Sequence, residues 1–329
     1  MTSRYLGIDV GGTNSKLAVV EAGPGRPDPP GDHPGGPPDP PDPPGDHPGG
    51  PPDPPRLLAT ATIPTGTGDP GEVVGRLAAA GARLVAGHGP VMAAGVGVPG
   101  LFDEASGRIV LLPNLPAAWT GQAFREPLAA GLGVPVALIN DARAFTLAES
   151  RMGAAAGCPT VVCLTLGTGV GGGVVVDGRL RFGPSGRAGE LGHQVIEVDG
   201  PPCGCGNRGC VEAFAAGAAL CRAGGRDTPE AVFAAAAAGD QRAAAAVGEA
   251  VGRLAVGIAN LLTVLWPERV VVGGGIAGAG DQLFGPLRAA VAAAAPLVDP
   301  ASYAIVPAAL GPGAGAIGAA LWARERTGR

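Results

Sequence analysis

Residues 6–16 read LGIDVGGTNSK. Apolar and small residues run up to Asp9, two glycines follow, and an apolar run resumes at Leu17, so the segment reads as strand, tight turn, strand. Gly11 and Gly12 allow the backbone to approach an anion closely, with their N–H groups facing phosphate oxygens. Thr13 adds a hydroxyl, and Asp9 has the oxygen chemistry to hold Mg²⁺ directly or through water. Neither a Walker loop nor a dinucleotide fingerprint fits, because both require a helix straight after the glycines. Alone, this turn is an ordinary hairpin. Its weight comes from a second one, LTLGTGVGGG at 164–173, where Gly167, Thr168 and Gly169 repeat the chemistry. A β-hairpin opening each of two α/β halves predicts duplicated domains around a cleft, with the two turns gripping one triphosphate from both sides.

Further strands are expected over 5–10, 17–21 and 57–63, forming an antiparallel start, and over 91–98, 135–139, 160–166, 172–176 and 269–272. Helices are expected over 71–86, 123–131 and 315–324, and through most of 212–265. Between the second and third strands, residues 27–40 read PDPPGDHPGGPPDP and residues 41–54 repeat that string unchanged. Such a segment has almost no apolar side chains and few backbone donors, so it is expected to be disordered or polyproline-like. It reads as a tandem duplication in a tolerant surface loop and receives no function.

The 329 residues carry a net charge of −5 with 16% charged side chains and no basic run, which speaks against a nucleic-acid face or an anionic membrane partner. No apolar stretch of signal-peptide length opens the chain, and the later Ala-rich segments are broken by Arg, Asp and Gly. Lys16 is the only lysine. It either reaches phosphates or is simply solvated.

Within GELGHQVIEVDGPPCGCGNRGCVEA (189–213), His193, Cys203, Cys205 and Cys210 crowd one imidazole and three thiols into eighteen residues. That is a ligand set for tetrahedral zinc with no open position, hence structural rather than catalytic. Closing the loop would draw Glu190 and Glu212 together. Thiols at metal-ligand spacing also fit a reducing cytoplasm better than a disulfide scaffold. Two other features remain open on the residues alone. Asn140-Asp141 ends an apolar strand, which suits either a helix cap or a site residue. Gly273-Gly274-Gly275 follows a strand, which suits either a tight turn or a seat for a flat purine.

The zinc signature, with LGIDVGGTNSK, GVGVPG (95–100), PNLPAAW (113–119), LINDARA (138–144), LTLGTGVGGG and VVVGGGIAG (270–278), resembles the ROK family of bacterial sugar kinases and sugar-responsive repressors. The resemblance covers most of the chain outside the insertion. It implies an α/β, two-domain, actin-like ATPase (ribonuclease H-like) sugar kinase fold with an interdomain cleft. An N-terminal domain is expected over 1–135 plus 311–329, with the repeat insertion at 24–55, and a C-terminal domain with the zinc loop over 136–310. It further implies ATP with Mg²⁺ as phosphoryl donor, seated by Asp9, Gly11, Gly12, Thr13, Gly167, Thr168, Gly169, Gly274 and Gly275. Asp141 becomes the catalytic base. Asn114, Asn140, Asp141, Glu190, His193 and Glu212 become the sugar-binding set, with His193 binding zinc through one ring nitrogen and a hydroxyl through the other. The family pattern often has Asn after N-D-A, where this chain has Arg143.

The implied activity is phosphorylation of a hexose at its 6-hydroxyl, with glucose leading over fructose, mannose, allose, N-acetylglucosamine and N-acetylmannosamine. The implied assembly is a cytoplasmic homodimer or homotetramer. A repressor would need a winged helix-turn-helix ahead of the first strand, for which residues 1–4 leave no room. Polyphosphate as donor would leave the GGGIAG turn without an adenosine to seat.

Overall fold

The pattern at residues 6–16 folds into a hairpin, β1 (Ser3–Val10) antiparallel to β2 (Asn14–Ala22), and β2 pairs in turn with β3 (Arg56–Pro64). The computed structural model describes residues 2–23, 54–66, 68–111, 119–183 and 186–327. Residues 24–53, most of the repeat insertion, lie outside these. So does Asn114.

After α1 (Pro70–Ala86), β4 (Ala93–Val98) joins β1 in parallel. All six of its residues are buried, as befits a central parallel strand covered on both faces. A short hairpin, β5 (Leu101–Asp103) and β6 (Arg108–Leu111), stands apart from this sheet. Then come α2 (Arg125–Leu132), β7 (Val136–Asn140), parallel to β4, and α3 (Asp141–Arg151). The sheet order is β3-β2-β1-β4-β7. Leu6, Ile8, Leu17, Leu77, Val96 and Leu128 anchor this unit's core.

The second unit opens with β8 (Val161–Leu166) and β9 (Val170–Val176), extended by the short β10 (Arg179–Leu180). The helices α4 (Val211–Ala215), α5 (Gly217–Gly224), α6 (Pro229–Ala237) and α7 (Gln241–Leu265) follow. The unit closes with β11 (Arg269–Gly273), α8 (Asp281–Ala294) and β12 (Ala304–Pro307). Its sheet order is β10-β9-β8-β11-β12, with two antiparallel pairings followed by two parallel ones. That is the pattern of the first sheet strand for strand, so the expected duplication is present. α7 is long and apolar enough to cross a membrane by length and composition. Leu254, Ile258 and Leu262 of α7 lie in the second unit's core, and Arg253 pairs with Glu197 at 2.8 Å, which is how a core helix is used.

α9 (Ala314–Thr327) returns to the first unit. Ala314 to Arg324 are all buried, so the helix has no polar face to show. It lies so close to the sheet that a Cβ on Gly7 or Gly95 would overlap the carbonyl oxygens of Ala316 and Ala319, and one on Gly318 would overlap Ala144 of α3. Trp322 Nε1 donates to Leu138 O at 2.8 Å.

Two expectations need correction. The boundary expected at residue 135 falls after Met152, because β7 pairs with β4 and α3 packs against α9. The same unit also takes in Phe182–Arg187, expected in the second domain, and resumes again at Leu310 rather than 311. The second concerns α3, expected only as a turn or cap. Ala142 to Ser150 are buried all round, which removes the amphipathic stripe that would have announced a helix. The remaining expected elements lie within about three residues of the observed ones.

Candidate active site

In the first unit, β1, β4 and β7 run parallel, so their carboxyl ends share one edge, the usual place for site residues in an α/β sheet. Asp9, next to last in β1, lies opposite Gly97, and Asn140 ends β7 opposite Val98. Between β1 and β2, Gly12 and Thr13 are exposed, leaving the turn open to an anion. Thr65, which follows β3, pins it. Its N–H donates to Thr13 O at 2.9 Å, its hydroxyl donates to Gly11 O at 2.7 Å, and Ser15 Oγ lies 2.7 Å from that hydroxyl. Thr65 is buried, and no sequence window links it to a turn some 50 positions away. Lys16 stands opposite Asp9 in the hairpin, where its charge partly offsets that of the carboxylate.

Asn140 caps α3. Its Oδ1 accepts from Ala142 N at 3.1 Å and from Arg143 N at 3.3 Å. Asp141 is the first residue of α3, and its Oδ1 accepts from Ala142 N at 2.8 Å. The cap uses Asn140 and leaves Asp141 at the sheet edge, so capping does not preclude a site role. Burial pushes the Asp9 carboxyl up to about 7, and the negative charge of Asp141 adds to that rise. Two carboxylates thus share this edge with the glycine turn. Gly315, at the start of α9, lies against the Asp9 carboxyl, and a Cβ there would displace it.

The remaining candidates belong to the second unit. Gly167 N donates to Gly169 O at 2.9 Å, closing the β8–β9 turn, and Gly217 N donates to Gly167 O at 2.8 Å. Gly274 takes φ +87° directly after β11, where a Cβ would overlap the backbone of Leu166. β8 and β11 are parallel neighbours, so Gly167, Thr168, Gly169, Gly274 and Gly275 emerge at one edge.

One ring nitrogen of His193 and the Sγ atoms of Cys203, Cys205 and Cys210 all lie within 4.8 Å of one another. Cys203 Sγ is 3.6 Å from His193 Nδ1, and Cys205 Sγ is 3.7 Å from Cys210 Sγ. Tetrahedral zinc with Zn–S bonds of about 2.3 Å separates its sulfurs by roughly 3.75 Å. The donors therefore fit zinc, and the ring nitrogen facing Cys203 Sγ is Nδ1. Burial pushes the Cys210 thiol up to about 12, a penalty that a bound cation reverses by taking the thiolate. All six cysteines are free thiols.

Glu212 connects this loop to the glycine turn. Its Oε1 lies 3.6 Å from Cys203 Sγ and 3.9 Å from His193 Nδ1, while its Oε2 accepts from Val170 N at 2.9 Å. Glu190 adjoins the metal loop through the backbone, its carbonyl accepting from His193 N at 3.0 Å. A carboxylate bridging the metal loop and the β8–β9 turn was not legible from spacing, which marked Glu212 only as a neighbour of the cysteines.

A family model described as the ROK family matches residues 59–326. The chain belongs to the ROK family. Among ROK relatives, the glucokinase of Thermotoga maritima is 40% identical over 253 residues, 71% of this chain and 80% of that protein. The ROK hexokinase from Thermus thermophilus superposes with a TM-score of 0.80 at 33% identity, covering 97% of each chain. A ROK glucokinase from Streptomyces griseus, solved in complex with glucose and AMPPNP, superposes with a TM-score of 0.72 at 28% identity, covering 98% of this chain and 99% of that one. The two-domain ROK kinase fold expected from sequence is the fold observed.

Proposed function

We propose that this ROK chain transfers the γ-phosphoryl group of ATP to the 6-hydroxyl of glucose. The observation that carries the reading is the carboxyl edge of the first sheet, where Asp141 and Asn140 share an edge with the Asp9 turn. The similarity to glucokinases, one of them holding glucose and an ATP analogue, supports the choice of sugar and donor. Asp141 accepts the proton of the 6-hydroxyl as that oxygen bonds to the γ-phosphorus. The bond from the γ-phosphorus to the bridging oxygen breaks, and ADP departs with the bonding pair. Gly11, Gly12 and Thr13 hold phosphate oxygens, as do Gly167, Thr168 and Gly169, while the Gly274–Gly275 turn leaves room for the purine. Asn140, Glu190, His193 and Glu212 bind sugar hydroxyls, and Asn114 belongs to the same set by resemblance.

Mg²⁺, held by Asp9, supplies charge neutralisation on the phosphates. Zinc, held by His193, Cys203, Cys205 and Cys210, supplies a rigid loop. With Nδ1 facing Cys203 Sγ, it would be the nitrogen given to zinc, which would leave Nε2 of His193 for a hydroxyl. The thiol-rich loop also favours a reducing compartment, the cytoplasm.

The deciding experiment is ADP release with MgATP across glucose, fructose, mannose, allose, N-acetylglucosamine and N-acetylmannosamine, on protein of measured zinc content. Strongest turnover on glucose is expected. Preference for an N-acetylated sugar would keep the mechanism and overturn the substrate. No turnover on any sugar from zinc-loaded protein would leave a sugar sensor.

A further inference from the structure

We propose that Arg143 is a positioning residue which turns Asn140 into a one-way hydrogen-bond donor toward the sugar. Arg143 is 1% exposed, on the first turn of α3, and its Nη1 donates to Asn140 Oδ1 at 2.9 Å. The same oxygen accepts from Ala142 N at 3.1 Å and Arg143 N at 3.3 Å. A carbonyl oxygen has two lone pairs, so three donors exhaust its accepting capacity. On the other side of the amide, Asn140 Nδ2 donates to Gly100 O at 3.2 Å. That uses one of its two hydrogens.

The amide therefore has one orientation. A flip would set its NH₂ group against three N–H donors and its oxygen against the Gly100 carbonyl, losing four hydrogen bonds and creating like-dipole contacts. What remains for a ligand is a single N–H, with no acceptor. Asn140 is half-buried at the sheet edge, beside Asp141. Side by side, the two residues present opposite polarity. Asn140 gives a hydrogen bond to a hydroxyl oxygen, and Asp141 takes a hydroxyl proton. Ala142 N also donates to Asp141 Oδ1, at the shorter distance of 2.8 Å, so the backbone alone leaves Asn140 Oδ1 with accepting capacity to spare, and the buried guanidinium takes what remains and removes accepting character from the amide. A substrate lacking a hydroxyl oxygen at this point would leave the N–H unpaired, which is the costly kind of mismatch.

This inference rests on the sugar-kinase reading, so the sugar that the wild-type enzyme turns over best in the panel serves as the probe. Absence of any such sugar sinks that reading before Arg143 is tested. Arg143→Met is expected to raise KM for the sugar by at least about tenfold, the effect of losing one well-placed hydrogen bond, while KM for ATP stays unchanged. Arg143→Lys, which keeps a buried donor, should recover part of the loss. In an Asn140→Ala background, Arg143→Met should have little further effect on sugar KM, because the two residues act as one unit. Equal effects in both backgrounds, or a fall in melting temperature and kcat with sugar KM unchanged, would show a purely structural arginine and overturn the proposal.

Asn140→Asp provides a second line should Arg143→Met not fold. It keeps an acceptor for all three donors and the helix cap, but replaces the outward N–H with an acceptor. Folded protein with sugar affinity lost, read by calorimetry, is expected. Unchanged affinity would overturn the donor assignment.

Discussion

Asp141 and Asp9 share one edge of one sheet, yet they respond differently to loss of charge. Asp141→Asn preserves the Asn140 cap and an oxygen for Ala142 N, so the variant is expected to fold and to bind glucose. It should lose about 10²–10⁴-fold in kcat, the range for a removed general base. Turnover near that of the wild type would remove Asp141 from that role. Asp9 offers a test by pH. Its folded-state value is raised from 3.8 to about 7, mainly by burial and then by Asp141. Between those values the native protein keeps a proton that the unfolded chain has released. Stability of the metal-free protein should therefore fall as pH rises through that window, and level off above about 7. Asp9→Asn does not titrate, so its advantage over wild type in thermal melts with chelator should be wider at about pH 8 than at about pH 5. An equal advantage at both would mean that Asp9 titrates as an ordinary carboxylate.

Among elements, β4 and α9 are held together by the absence of side chains. A Cβ on Gly95 would overlap Ala319 O, and a carbonyl on a packed helix cannot yield as a flexible side chain can. Gly95→Ala is expected to cost about 1–3 kcal/mol or more in denaturant titrations. Gly75, exposed on α1 with open space around it, provides the contrast. Gly75→Ala should gain up to about 1 kcal/mol from helix propensity alone. The same hairpin logic applies to the duplicated insertion. Glu21 and Arg56 are paired across β2 and β3, so the ends of the insertion are already side by side. Deleting residues 27–54 should leave turnover nearly unchanged and gain about 1 kcal/mol from closing a shorter loop. A large loss of activity would give the repeat a function that its composition does not suggest. These elements were unequally legible in sequence. β1 and β2 announced themselves through a glycine turn between apolar runs, and α1 through an Ala-rich helical pattern over 71–86. α3 did not, because packing on every side needs apolar or paired residues at every position and leaves no period to read.

At the scale of the whole molecule, the chain enters its first unit three times, through Met1–Met152, Phe182–Arg187 and Leu310–Arg329. α9 arrives from the far end of the sequence with Ala314 to Arg324 buried, bonded to Leu138 through Trp322 and to Gly23 O through Arg324 Nε at 2.8 Å. Truncation before Ala314 is expected to expose β1, β4 and α3 together and to abolish cooperative unfolding of the first unit, as read by circular dichroism. A truncated protein with an intact first transition would show that α9 is dispensable. What the sequence determined by itself was local. It fixed two strand–glycine–strand turns, one ligand set at zinc spacing and an Asn-Asp pair at a strand end, each held within a few residues of chain and set by backbone sterics or ligand chemistry. The tertiary structure decided the rest. It assigned residues 136–152 to the first unit, pinned the β1–β2 glycine turn with Thr65, raised Asp9, tied Glu212 to Val170 N and buried Arg143 against Asn140. Most of these join residues far apart in the chain. The Arg143 contact is local, but its burial is not, since desolvation and hydrogen-bond saturation depend on which distant segments come to lie around a group.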